Sequence, residues 1–342
     1  MALDLYPRIQ KGLDEKRQNL KEFLASAPPE EKQVCLCNEQ QNVEAHLHVI
    51  ETNLEKIDNQ TLGLCEICQG YVDPHLLEMD YTACVCLEHF SVDEMQRLQA
   101  ELELSQIVQR ALLPQRMPSL AGVELAAFSR PSDIIGGDYF DFFQFRDGTQ
   151  GLVIADVSGH GVSAGMLMTS LQTALRTMAP DTDSPAEIME RLNRFYIHNI
   201  NFTTFVTIFL ARFNPATGVL NYVNAGHNPP VHFCKQSGET DWLMPTVPAV
   251  GLMEVYHPRI ASATLQEGDV LLLYTDGITE STNLQREQFG QNRLSELVRQ
   301  NAHRSASDMI QAVRQSMSAF SENQRLADDI TMVSLKMAGK VN

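Results

Sequence analysis

Five aspartates stand where short apolar runs end or begin. Asp138 lies in IIGGDYFD, Asp156 closes LVIADV, Asp276 closes VLLLYTDG, and Asp328 and Asp329 open DDITMV. One aspartate at a strand end is an ordinary turn or cap residue. Several, each on an apolar strand and beside a glycine or a turn, place mutually repelling carboxylates at one edge of a core. A bound cation offsets that repulsion. Donors that are all oxygen, without His or Cys, select a hard ion such as Mg²⁺ or Mn²⁺. The small residues and glycines after Asp156, in DVSGHGVSAG, let backbone carbonyls and bound waters come close. They are not a P-loop, because no Lys-Ser/Thr pair follows Gly159-His160-Gly161. His160 and His227 each sit in a glycine turn, where a histidine caps or packs, or serves as a general acid.

A second set of chemical groups lies earlier. Six of the seven cysteines fall between Cys35 and Cys86, and only Cys234 lies beyond. Such a cluster in a cytosolic chain points to metal rather than disulfides. In GLCEICQGYVDPHLLEMDYTACVCLEHF, Cys65-x-x-Cys68 is half of a zinc site, and seventeen residues later Cys86-x-x-His89 supplies the other half. Three thiolates and one imidazole in two knuckles suit a closed tetrahedral zinc. Cys84 competes with Cys86, but the matched internal spacing favours Cys86 and His89. Gly63 and Gly70 stand where knuckles need tight turns, and Cys35 and Cys37 read as packing residues.

The elements that must position these groups divide the chain. With 342 residues there is room for about two domains of roughly 150 residues. Ile9, Leu13, Leu20 and Leu24 recur at helical spacings before Pro28-Pro29. Val43, Leu47, Ile50, Leu54 and Ile57 then form a heptad seam. The expectation is an antiparallel helical hairpin over 1–60, whose seam pairs within the chain or between chains, and a zinc finger over 61–92. Ser91 with Glu94 makes a capping box. It starts a linker helix within 93–118 whose apolar stripe is Met95, Leu98, Leu102, Val108 and Leu112, ending at Pro114. From Ala121 the pattern changes to strand-like runs, VELAAFS, YFDFFQF, GLVIADV, TFVTIFLARF, GVLNYVNAG, DVLLLYTDG and DDITMVSLKM. Helical stretches interrupt them near 163–178, 184–198, 293–301 and 306–320. That alternation predicts an α+β layered domain over 119–338, sheets together and helices outside.

Composition narrows the partners. The net charge of −17 argues against a nucleic-acid surface. No apolar run reaches the length of a membrane span. The start, MALDLYPRIQKG, has no signal core, so the chain is expected in the cytoplasm.

Two resemblances sharpen these expectations. The hairpin ending LEKIDNQTLGLCEIC and running into a four-ligand knuckle resembles the DksA/TraR type of bacterial zinc finger, over about 43–95. It departs from that type in having His89 as the last ligand and in lacking paired aspartates at the tip, APPEEK. The resemblance therefore implies the fold and one structural zinc, not a polymerase role. The motifs IIGGDYFDFF, IADVSGHGVSAGMLM, NAGHNPP, LLLYTDGITE and ADDITMV, in that order, resemble the SpoIIE/RsbU branch of the metal-dependent protein Ser/Thr phosphatases over about 104–337. That likeness implies a four-layer α-β-β-α sandwich, two antiparallel sheets between pairs of helices, with two catalytic Mn²⁺ or Mg²⁺ ions at one edge. It implies Asp138, Asp156, Asp276 and Asp328 as catalytic metal ligands, Asp156 bridging both ions, with the carbonyl of Val157 as a further ligand. Asp329 matches a position often filled by Asn, and no motif arginine offers to hold the substrate phosphate. The implied reaction is in-line attack on phosphorus by a water that two metals acidify, with no covalent phosphoenzyme. The implied substrate is a phosphoserine or phosphothreonine on a STAS-domain anti-sigma-factor antagonist. A homodimer joined through the head, and control of activity through the striped helix, complete the expectation. Two other classes remain open: a zinc-finger regulator that binds RNA polymerase with the phosphatase fold as scaffold, and a hydrolase of small phosphorylated metabolites.

Overall fold

A computed structural model describes residues 39–73, 77, 81–159, 161–199, 205–322 and 326–339, together with Pro7, Ile9, Gln10, Leu13, Asp14, Arg17, Gln18 and Lys21. The chain divides into two compact units, Met1–Gln99 and Ala100–Asn342.

The first unit centres on α1 (Glu39–Asp58). Its seam residues Ile50, Leu54 and Ile57 are buried in one cluster with Leu13, Leu62, Cys65, Val72, Leu77 and Cys86. Lys21 pairs with Glu51 at 2.8 Å, and Gln10 donates to Asp58 at 3.4 Å. The earlier segment thus runs antiparallel to α1, as a hairpin does. Within the chain, the described part of the seam packs on Leu13. Leu20, Leu24, Cys35, Cys37 and the tip APPEEK lie outside the described residues.

The division between the units falls within α2 (Val92–Leu112). Its start is the expected capping box: Glu94 N–H donates to Ser91 Oγ, and Ser91 N–H donates to Glu94 Oε2 at 2.8 Å. None of its residues is buried. The stripe residues Met95, Leu98 and Val108 are exposed, and Leu102 and Leu112 are half-buried.

The second unit is built from ten strands: β1 (Val123–Arg130), β2 (Tyr139–Gln144), β3 (Gln150–Val157), β4 (Val206–Asn214), β5 (Val219–Ala225), β6 (Val231–Cys234), β7 (Glu239–Trp242), β8 (Ala261–Thr264), β9 (Val270–Tyr274) and β10 (Ile330–Met337). They form two five-stranded antiparallel sheets, in the orders β1-β10-β9-β6-β7 and β2-β3-β4-β5-β8. Helices α3 (Gly161–Met178) and α4 (Pro185–Asn199) belong with the second sheet. A short turn of helix, α5 (Asp276–Thr279), follows β9, and α6 (Gly290–Asn301) and α7 (Ala306–Phe320) belong with the first sheet.

Strand periodicity sorts the core into three slabs, because successive side chains leave opposite faces. Tyr139, Phe143, Val153 and Ala155 pack with Met168, Leu171, Ile188 and Leu192 of α3 and α4. Their neighbours Phe140, Phe142, Leu152 and Ile154 face Leu271, Leu273, Val333 and Leu335 across the sheets. Leu272, Tyr274, Ile330 and Met332 turn the other way, against Leu294, Val298, Met309 and Val313 of α6 and α7. Three slabs between four layers are the α-β-β-α sandwich that the motifs imply.

The strands β6, β7 and β8 go beyond the seven expected from sequence. Each has four residues, and β7 and β8 are outer strands with alternating exposed positions, so they carry no apolar run to read. The helix spans match the expected ones closely, with α7 the same at both ends and α6 starting three residues earlier, at Gly290.

One polar contact ties a helix to a sheet inside the first slab. Asp141 is fully buried in β2, on the helix side with Tyr139 and Phe143. Arg176 of α3 grips it with two bonds of 2.6 Å, Tyr139 donates its hydroxyl at 2.7 Å, and the amide of Phe142 donates at 2.7 Å. A buried carboxylate with four donors is satisfied; with its partners left unpaired, the site is penalised. Asp141→Ala is expected to lower stability by about 3 kcal/mol, the low end for a broken buried pair, because Arg176 reaches solvent. Urea unfolding measures it, and an unchanged midpoint would show that this anchor carries no weight.

Candidate active site

The rows that fill the inter-sheet slab end in carboxylates. Phe142 and Phe140 lead to Asp138, Leu152 and Ile154 lead to Asp156, and Leu335, Val333 and Thr331 lead to Asp329. Each aspartate is the next residue on the inward face of its strand. The apolar rows therefore fix where the acids stand, and they stand together at one end of the slab.

Asp138 is buried, and its Oδ2 accepts from the Thr275 hydroxyl at 2.8 Å. Burial, and then the charges of Asp156 and Asp329, push its proton affinity well above the carboxylate range. Asp156 is pushed up to about 7 by burial, and then by Asp276, Asp328, Asp329 and Glu280. Asp276 opens α5 and is raised by burial and by Glu280. Asp328 is exposed, and its Oδ1 accepts the amide of Asp329 at 2.8 Å. The four aspartates implied by the motifs thus share one region and act on one another's charge. They do not form a tight knot. Among the described residues, the set whose donor atoms all lie within 4.8 Å of one another is Cys65, Cys68, Cys86 and His89.

The two glycines of IIGGD have separate reasons. A Cβ at Gly136 would lie 2.5 Å from Asp329 Oδ2. A Cβ at Gly137 would lie 2.9 Å from the Val157 carbonyl oxygen and 3.2 Å from the Ala164 methyl. The missing side chains bring the loop of Asp138 against the end of β3 and keep the Val157 carbonyl close to it. Gly277 is similar: a Cβ there would lie 2.0 Å from the Asp329 carbonyl oxygen, so TDG and DD share a backbone contact.

Sequence reasoning missed several residues of the site. Asp329 does not stand idle beside Asp328. Its Oδ1 accepts from the amide and hydroxyl of Ser132 at 2.7 and 3.0 Å, and its Oδ2 accepts from the Gly137 amide at 2.7 Å. It holds the loop that carries Asp138. From the other side, Gln109 of α2 clasps Gly136, donating to its carbonyl at 2.7 Å and accepting from its amide at 3.2 Å. Gln106 donates to the Ile134 carbonyl at 2.8 Å. Nothing in the sequence flags two glutamines on a polar helix. Glu280, four residues after Asp276 in TDGITE, could have been found by helical spacing alone.

The two histidines part ways. His227 is buried, its Nδ1 lies 2.8 Å from the Thr207 hydroxyl, and burial pushes it down to about 3. Burial disfavours its charged form, and it packs, one of the roles a histidine in a glycine turn can take. His160 lies outside the described residues.

In the first unit, Cys65 and Cys86 are buried, and Cys68 and His89 are exposed. The amide of Cys86 donates to Cys65 Sγ and the amide of Gly70 to Cys68 Sγ, each at 3.4 Å. Cys86, not Cys84, completes the set; Cys84 contributes its carbonyl, which accepts from Glu66 at 2.8 Å. The left-handed turn residue of the first knuckle is Gln69 (φ 59°) rather than Gly70, whose Cβ would crowd Cys68 Sγ at 3.3 Å.

Two variants of Asp329 separate its role from that of a metal ligand. Asp329→Ala frees Ser132 and Gly137, and Mn²⁺ affinity by calorimetric titration should fall about tenfold or more, as for the loss of an outer-shell partner. Asp329→Asn keeps one acceptor and should lose less; equal affinities in all three proteins would refute the role.

Known proteins share this sandwich. The family described as stage II sporulation protein E (SpoIIE) matches residues 146–338. Phosphoserine phosphatase RsbU of Bacillus subtilis is 26% identical over 245 residues, covering 70% of this chain and 71% of RsbU. Protein IcfG of Synechocystis sp. is 30% identical over 262 residues, covering 69% of this chain and 41% of IcfG. Among solved structures, the SiaA-PP2C domain of Pseudomonas aeruginosa superposes with a TM-score of 0.62 at 21% identity, over 71% of this chain and 97% of that one. At that identity the superposition speaks for the fold. The family match takes in β3 to β10, more than half of the chain, and on that match the chain belongs to the SpoIIE family.

Proposed function

We propose that the chain is a metal-dependent phosphatase that hydrolyses phosphoserine or phosphothreonine on a protein. The observation that carries this is the convergence of Asp138, Asp156, Asp276 and Asp328 at one sandwich edge, in a member of a family whose relative RsbU is named a phosphoserine phosphatase. The enzyme is a serine/threonine protein phosphatase. Its substrate, on this reading, is a STAS-type anti-sigma-factor antagonist of a bacterial partner-switching pathway, and it works in the cytoplasm. The support for that substrate is the likeness of its motifs to the SpoIIE/RsbU branch.

The donors fit hard divalent cations. All are oxygen, and burial, then repulsion between acids, raises the proton affinity of Asp138, Asp156 and Asp276, a rise that a cation would oppose. Gly137 leaves the Val157 carbonyl an approach that any side chain would fill. Asp138, Asp156, Asp276, Asp328 and the Val157 carbonyl would hold two Mn²⁺ or Mg²⁺ ions. Such ions, when bound, supply charge to neutralise phosphate oxygens and acidity to a water. The protein's own groups do the rest. Thr275 and Asp329 hold Asp138 and its loop, and the apolar rows hold Asp156. His227 is buried in the loop after β5, where burial disfavours its charged form, so it is a poor source for the proton that the leaving serine oxygen needs; water or another group would supply it.

The same reading gives the first unit one structural zinc, on Cys65, Cys68, Cys86 and His89, and a regulatory task exerted through α2. The compact donor set and the amide-to-sulfur bonds support the zinc. The clasp of Gln106 and Gln109 on the loop of Asp138 supports the route, since a shift of α2 pulls on that loop.

Two outcomes test these assignments. Dephosphorylation of a phosphoserine protein should require Mn²⁺ or Mg²⁺ and stop with EDTA, and Asp156→Ala should lose about a hundredfold or more in kcat. Turnover near normal in that variant would sink the two-metal site. Elemental analysis after dialysis against a mild chelator should find one zinc per chain, lost in Cys65→Ser and in Cys86→Ser but kept in Cys84→Ser. Zinc retained by Cys86→Ser and lost from Cys84→Ser would move the ligand to Cys84.

A further inference from the structure

A cleft of about 610 Å³ lies between the end of β1 and the outer side of α7. Arg130, Ser132, Arg314 and Leu326 are among its lining residues, and among the described residues no acidic side chain is. That is unusual in a chain with 43 acidic and 26 basic residues. Among the described residues, neither Arg130 nor Arg314 forms an ion pair. Arg314 is held in another way: its guanidinium lies 3.9 Å from the centre of the Phe128 ring. Stacking restrains the plane of the group, and a guanidinium so held can still pair with a carboxylate through the N–H groups at its edge.

The cleft adjoins the acidic edge. Ser132, in its wall, is bonded to Asp329. Arg130 also lines a smaller cavity of about 340 Å³ that reaches Asp138 and Asp329. A chain entering the active site with its phosphoserine would run its next residues past Arg130 and Arg314. Met317, Leu326 and Ile330 give that path an apolar floor.

We propose that this cleft docks an acidic segment of the protein substrate beside the phosphoserine, Arg130 and Arg314 pairing with its carboxylates. The argument is charge complementarity: a strongly anionic enzyme repels an anionic phosphoprotein, and this is a place beside the acidic edge where unpaired cations receive it. The inference rests on the phosphoprotein reading of the site.

The test uses the full chain with Mn²⁺ and two synthetic phosphoserine peptides of equal length. One carries Asp and Glu around the phosphoserine, the other Asn and Gln. The wild-type enzyme should favour the acidic peptide by about fivefold in kcat/KM through KM, the yield of one or two exposed ion pairs, and the preference should fade as salt is raised. Arg314→Glu should reverse the preference and Arg314→Gln should erase it; the second keeps the site measurable where the first does not fold. Equal kcat/KM for the two peptides in the wild type, or a preference that survives both variants, overturns the docking role. No turnover of either peptide, or of a phosphoserine protein, overturns the phosphoprotein reading itself, and the docking role with it.

Discussion

The second unit depends on one buried carboxylate. Asp329 sits at the start of the last strand and binds Ser132 and Gly137, almost two hundred residues earlier in the chain. The acceptor atoms are spent on backbone amides and a hydroxyl, a satisfied arrangement for a buried acid. The consequence is topological. β1 and β10 pair along eight residues, and β2 belongs to the other sheet. The loop 131–138 is therefore the crossing from one sheet to the other, and Asp329 pins it at mid-course. Gly136 is a glycine because that carboxylate lies where its Cβ would be.

The pinned loop brings like charges together, against their own repulsion. Asp138 and Asp156 stand at the ends of strands β2 and β3, whose neighbouring inward residues are Phe in one and Leu and Ile in the other, closed against the opposite sheet. The apolar slab stabilises far more than one charge contact destabilises, so the acids stand where the rows put them. Burial first, and then that repulsion, raises their proton affinity, to about 7 for Asp156. A site made in this way is ready before any cation arrives, since the core and not the ligand has met the ordering cost.

Much of this was legible. Apolar runs with aspartates at their ends gave seven strands and the acids of the site, and the Ser91–Glu94 spacing gave the start of α2. Those signals are local and periodic. What escaped was polar and distant. Gln109 finds Gly136 only once α2 has docked, and Arg176 finds Asp141 only once α3 lies on its sheet. The partner of the α1 seam was open because a heptad row states that something covers it, not what, and Leu13 answers that inside the chain. Asp329 escapes a reading by motif because its neighbour matches the motif's ligand position, while its own bonds are to backbone amides and a hydroxyl that no side-chain pattern reports.

The two donor sets differ in the order in which they are built. Cys65, Cys68, Cys86 and His89 come from two short knuckles around a small cluster, where Cys65 and Cys86 are themselves part of the buried core. With so little apolar surface around them, a metal held there would supply folding energy, and the thiolates select a soft ion. The aspartates come from separate strands of a sandwich with three apolar slabs, stable in its own right, and their oxygens select a hard ion. One site makes its fold and the other is made by it. On the proposed metals, a chelator that stripped the aspartates would leave the sandwich standing, while loss of a metal from the knuckles would remove the scaffold of the head. On the proposed reading that division has a use, because ions held by the aspartates would come and go without unfolding either unit.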